Sequence, residues 1–156
     1  MATEYGLQLG APATADEVAA VFARAAAAHR LTETEAVRFE RPGALLRSGV
    51  LVVVSPSAPL PFPHPVEEEF GFAPAVHVLF RFDSSADSLG QRQDMIRLVT
   101  AALTALPGDA MLAFGGETVQ VLRRDGRLTI SERDDFWIPA VVALLPPHDR
   151  ARLPNL

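Results

Sequence analysis

Through "EYGLQL" (4–9), every second residue is apolar: Tyr5, Leu7 and Leu9 alternate with polar or small neighbours. A period of two marks a strand with one buried face. After the break at Gly10–Pro12 the period lengthens. Val18, Val21, Phe22 and Ala25 form one helical stripe, and Thr14 and Glu17 have the spacing of a capping box, so a helix is expected over about 15–29. "TETEAVRFERPG" fits either a short helix or an ordered loop. "GVLVVVSP" (49–56) is an unbroken β-branched run, the pattern of a strand covered on both faces. In "AVHVLFRFD" (75–83) alternation returns, with Val76, Val78, Phe80 and Phe82 inward and His77, Leu79 and Arg81 on the other face. A second helix, opened by Ser88 and Gln91, carries Met95, Val99, Ala102, Leu103 and Leu106 and stops at Pro107–Gly108.

The next segment, "AMLAF-GG-ETVQVLR-RDGR-LTISE", reads as three strands joined at Gly115–Gly116 and Asp125–Gly126. Both dipeptides suit two-residue turns with positive φ at each central position. Such turns would place Leu112 opposite Val119, Ala110 opposite Val121 and Val121 opposite Ile130, with Glu132 at the strand end near Val119. A short last helix is expected near 139–145. Together these elements predict an α+β fold. It is a two-layer sandwich in which two main helices cover one face of a largely antiparallel sheet ending in a three-stranded meander. No repeat or long linker divides the chain, so residues 1–156 are expected to form a single domain.

Composition narrows the function. The net charge of −5 argues against nucleic acid, which is bound through a basic footprint. The chain has no cysteine, which removes thiolate metal sites, disulfides and cysteine nucleophiles. The acidic start "MATEYGLQLG" is unlike a signal peptide, and no apolar run approaches the roughly 18 residues of a membrane span. The expected location is the cytoplasm, with no membrane partner. Oligomeric state is left open.

Two acidic clusters are the candidates for chemistry or binding. In "SERDDFW", Glu132, Asp134 and Asp135 could hold a metal or share a proton, but spacing brings no histidine or remote acid to them. A solvated strand exit is favoured, with Phe136 and Trp137 anchoring it to the core. In "PFPHPVEEEF", Glu67, Glu68 and Glu69 follow a stretch with five prolines in eleven residues, "SPSAPLPFPHP". That stretch reads as a stiff surface loop. Read as an extended segment, the acids point to alternate faces and do not converge on one ion, so a solvated charge run is favoured. Phe62 and Phe70 flank them, giving preorganised apolar anchors beside charge. These eight residues form the candidate partner-binding set. His77 lacks a nucleophile or orienting acid on its strand face, so no catalytic residue, cofactor or metal site is expected. Three functions stay open on the residues alone. They are a binding protein, a small hydrolase or metal-dependent enzyme using residues 132–135, and a structural or regulatory interaction domain.

The segments "EFGFAPAVHVLFRFD", "QDMIRLVTAALTALPGDAMLAF" and "VLRRDGRLTISERDDFW" resemble a bacterial family across about residues 66–138, with a weaker echo in "EYGLQL". The family comprises the immunity proteins of swarming-inhibition toxin systems. "PGDAML" and "RRDGRLTISERDDFW" are its more specific parts. The resemblance implies a small cytoplasmic protein that binds and neutralises a cognate toxin, and it implies no catalytic residue.

Overall fold

A computed structural model describes residues 3–156. Its centre is β1 (Thr3–Gly10), lying between β4 (Pro74–Phe82) and β5 (Ala110–Phe114), antiparallel to both. Outward from β4 come β3 (Leu51–Pro56) and the two-residue β2 (Ala44–Leu45). Outward from β5 come β6 (Thr118–Arg124), β7 (Arg127–Ser131) and β8 (Asp149–Ala151). The result is one eight-stranded sheet, antiparallel except for the β7–β8 pair, and the fold is α+β.

One face of this sheet is packed by α1 (Ala15–His29) and α3 (Ser88–Ala105), which also pack on each other. Alternation puts Tyr5, Leu7 and Leu9 of β1 and Val76, Val78, Phe80 and Phe82 of β4 into this layer, all buried. Phe22 of α1 is fully buried between Phe39, at 5.7 Å in an edge-on arrangement, and Phe80 at 6.2 Å. Removing such a ring from water stabilises by roughly 2–3 kcal/mol. Phe39 lies in the segment left ambiguous by the sequence, which is an ordered loop. Its carbonyl accepts from the Val54 amide at 2.8 Å.

Helix ends are set by side chains. Thr14 Oγ1 accepts from the Glu17 amide at 3.2 Å, as the capping-box spacing predicts. The α3 cap differs from expectation. Asp87, one residue earlier than Ser88, accepts from the Gly90 amide at 2.9 Å. Gln91 is buried and bonds the backbone of Asp83 through both ends of its amide, at 2.7 and 2.9 Å. At the other end of α3, Arg123 reaches from β6 to donate to the carbonyls of Leu103, Leu106 and Gly108 at 2.5–2.7 Å. It thereby satisfies carbonyls that a helix terminus leaves open.

Five further expectations are corrected. β3 alternates, with Val52 and Val54 buried and Leu51 and Val53 partly exposed, so only one of its faces is fully covered. The Gly115–Gly116 connection has positive φ at both glycines, but it pairs Phe114 with Thr118, and a bulge follows near Gln120. Leu112 therefore faces Val121, not Val119, and Ala110 faces Arg123. One extra residue in the turn would flip every β6 side chain, and the bulge flips those beyond it back. The Val121–Ile130 pair across the Asp125–Gly126 turn is as expected. Glu132 follows β7 and donates its amide to Ala151 of β8, a strand the sequence did not suggest. Residues 65–70 are not extended. They form α2 (Pro65–Phe70), with His64 Nδ1 accepting from the Val66 amide at 3.1 Å and Gly71 closing it at φ 77°. The terminal helix, α4 (Pro139–Val142), is shorter than 139–145 and packs on α3.

Candidate functional site

Away from α1 and α3, the same strands present a different set of side chains. A small second core forms here from Val66 of α2 with Phe72, Met111, Ala113 and Val119, joined by Phe70, Leu122, Leu153 and Leu156. It covers the β5–β6 side only. Between it and β3 the sheet is uncovered, and a groove of about 420 Å³ runs there, lined by Glu4, Gly6, Gln8, His77 and Leu79 of the sheet and by His64 and Val66 beside α2. A shallower depression of about 590 Å³ adjoins it across His77 and Leu79 and ends at Arg41, Val53 and Ser55.

Strand register explains the groove. Val53, Leu79, Gly6, Ala113 and Val119 are successive cross-strand partners and form one row across the sheet. Gly6 and Ala113 supply almost no side chain to it. The next row, Ser55, His77, Gln8 and Met111, stands higher on one side. On the other side stands the Arg81–Glu4 ion pair, with nitrogen–oxygen distances of 2.6 and 2.9 Å. A β-carbon on Gly6 would meet His77 Cε1 at 3.1 Å, so the glycine is what lets the imidazole lie over β1.

His77 is half-buried and bonded at Nδ1 to Gln8 Nε2, 2.8 Å away. With the amide donating, the imidazole proton lies on Nε2. Burial first, then His64 and Arg41, hold its pKa below the ordinary 6.5, so the ring is neutral at pH 7. Gln8 Oε1 is buried without a hydrogen-bond partner.

The candidate residues read from the sequence fall in two separate places. Phe62 is 61% exposed in the proline-rich loop, and Glu67, Glu68 and Glu69 are exposed on α2, following His64, Pro65 and Val66, which line the groove. Phe70 packs against the second core. Glu132, Asp134 and Asp135 lie elsewhere, at the exit of β7. Asp134 meets Arg150 at 3.3 Å with its carboxylate almost fully exposed. The Asp135 carbonyl accepts from Arg92 at 3.1 Å, and Arg92 also lies over the Phe136 ring at 5.9 Å. Phe136 and Trp137 are buried, edge to face at 4.7 Å, and anchor the segment. Asp135 lines a depression with Tyr5, whose hydroxyl is pushed up to about 12 by burial; nearby Arg92 opposes that rise and Asp135 adds to it. Among the described residues, no group of three or more histidine, cysteine or acidic side chains is placed to hold a metal ion. No helix among them is long and apolar enough to cross a membrane.

Sequence reasoning missed the groove residues Glu4, Gly6, Gln8, Leu79 and Ala113, and passed over His77. The available signal was a glycine inside an otherwise regular strand pattern, which marks a close approach.

No curated protein and no solved structure matches the chain. A family model described as SitI3-like matches residues 3–140, which takes in both helices of the covered face, the groove strands and the acidic exit. With most of its length matched, the chain belongs to the SitI3-like family, a family of immunity proteins.

Proposed function

We propose that this protein is a non-enzymatic immunity protein that binds a cognate toxin and neutralises it by occlusion in the cytoplasm. Family membership over residues 3–140 carries the reading. The groove face supports it physically. It is an uncovered part of a sheet whose opposite face is already packed, and a partner could bury its apolar row without disturbing the core. Glu67, Glu68 and Glu69 are exposed on α2, the helix whose first residues line the groove, and lie outside the ion pairs found among the described residues. Exposed charges of one sign steer a partner of the opposite sign and suit a basic toxin.

Co-expression with the product of the neighbouring gene tests the function: growth should be rescued and the two proteins should co-purify. Absence of both would refute it. The part played by the α2 glutamates is tested by reversing Glu67, Glu68 and Glu69 to lysine together. Toxin affinity should fall by roughly tenfold or more, and the loss should shrink with added salt. The melting temperature should hold within about 2 °C, because these side chains bury little.

A further inference from the structure

Beyond β8, residues 152–156 ("RLPNL") run past the end of β7 to the start of β6, where the Leu156 amide donates to the Glu117 carbonyl at 2.9 Å. Leu153 and Leu156 are partly buried against the second core, while Arg152, Pro154 and Asn155 are exposed. The segment is a strap, and its hold is slight. The Leu156–Glu117 bond is the one backbone hydrogen bond it makes among the described residues, and none of its side chains enters an ion pair there. A gap of about 370 Å³ lies between Arg152–Asn155 and the exit of β7 at Ser131, Glu132 and Arg133, so the strap spans this stretch without packing tightly on it. Segments with few buried contacts and few hydrogen bonds open locally at far lower cost than a core. What the strap caps is core-like: Met111, Ala113 and Val119 are each no more than 2% exposed. Leu156 also lines the groove together with Val66, Met111 and Ala113, so raising the strap joins groove and second core into one apolar trough.

We propose that residues 152–156 are a displaceable strap, and that the partner docks in their seat an extended segment with two leucine-sized side chains three residues apart. The strap itself argues for this occupant, because in the free protein the seat is filled by Leu153 and Leu156 on either side of Pro154 and Asn155. In an extended chain with three residues per turn, such a pair falls on one side. A partner segment of the same pattern meets the same apolar surface and continues into the groove. The proposal rests on the toxin-binding reading for the identity of that partner, but not for the release of the strap.

The test uses the isolated full chain and a double variant, Leu153→Ser with Leu156→Ser, that empties the seat, both isotope-labelled for NMR. The probe is a free acetylated peptide of residues 152–156, and the control is the same peptide with serine at both leucines. A tethered strap faces its seat at an effective concentration of millimolar or more, so the free peptide is at a disadvantage in the wild type. The leucine peptide should give saturable shifts at the Met111, Ala113 and Val119 amides of the variant, about tenfold or more tighter than in the wild type. No saturable binding to the variant, equal affinity for the two proteins, or an equal response to the serine peptide would each overturn the proposal. Should the variant not fold, hydrogen exchange in the wild type decides. The Leu156 amide should exchange at least about tenfold faster than that of Val121 in β6. Equal protection would mean that the strap lets go only on global unfolding, and would overturn the proposal. If the peptide binds as expected but wild-type protein gives no rescue or co-purification, the toxin reading falls and the strap and its seat stand. A toxin that does bind should bind the variant about tenfold or more tighter than wild type, and the leucine peptide should compete with it. Equal binding to both proteins with no competition would put the toxin on another surface and overturn the assignment of the seat to it.

Discussion

On one side of β1 lie Tyr5, Leu7 and Leu9; on the other, from the same eight-residue strand, lie Glu4, Gly6 and Gln8. The first set is closed over by two helices, and the second is left open beside a groove. The two faces differ in how their shape is specified. The covered face is defined by bulk, because large apolar side chains fill it to the density of a core. The uncovered face is defined by missing bulk. Gly6 and Ala113 fall in one cross-strand row between taller neighbours, and the hollow follows from their alignment. The larger core therefore lies on one side of the sheet, while on the other a smaller core leaves room for a ligand over β1.

Truncation on the covered side should do the greatest damage. Phe22→Ala removes a fully buried ring from between Phe39 and Phe80 and should cost about 3–5 kcal/mol in a denaturant melt. A cost under about 1 kcal/mol would mean that the helix layer packs loosely and that the contrast between the faces is false. An intermediate loss is expected at the Asp125–Gly126 turn, which belongs to neither face. Gly126 has φ 78° and an added β-carbon would meet nothing within 4 Å, so Gly126→Val isolates backbone strain. It should destabilise by about 1–2 kcal/mol. Leu79→Ala, on the groove floor, should cost under about 1 kcal/mol, since partial exposure leaves less to lose.

The smallest effect is electrostatic. The His77 pKa is lowered in the folded state, so the unfolded chain binds the proton more readily. Stability should be full above the ordinary value of 6.5 and fall as pH drops below it towards the folded-state value. His77→Gln should abolish that component. Parallel pH–stability curves for the two proteins would show that the ring is not held neutral and that the groove wall is more solvated than its geometry indicates.

The covered face was legible in the sequence because it obeys local rules. Periods of two and about 3.6 identified β1, β4, α1 and α3, and the Thr14 cap and the Asp125–Gly126 turn lay at fixed spacings. The uncovered face was not, because its form depends on which distant residues become neighbours. Gly6 meets Leu79 on one side and Ala113 on the other only after β1 has taken its place between β4 and β5. The meander failed for a related reason. A one-residue difference at Gly115–Gly116 and a bulge near Gln120 are each invisible to alternation, yet they re-aim Val119 from the core to the second cluster. α2 was missed because five nearby prolines read as extended chain. Proline is equally at home at a helix start, where Pro65 follows the His64 cap. β8 has only three residues, two of them charged, and pairs in parallel with β7, so no period was present to find.

The broad sheet ends abruptly on both sides. β2 has two residues and β8 three, and β8 carries Asp149 and Arg150. Exposed strand edges are templates for pairing between molecules, and very short or charged edges offer little to extend. Edges so short, one of them charged, disfavour the growth of this sheet from one molecule into the next.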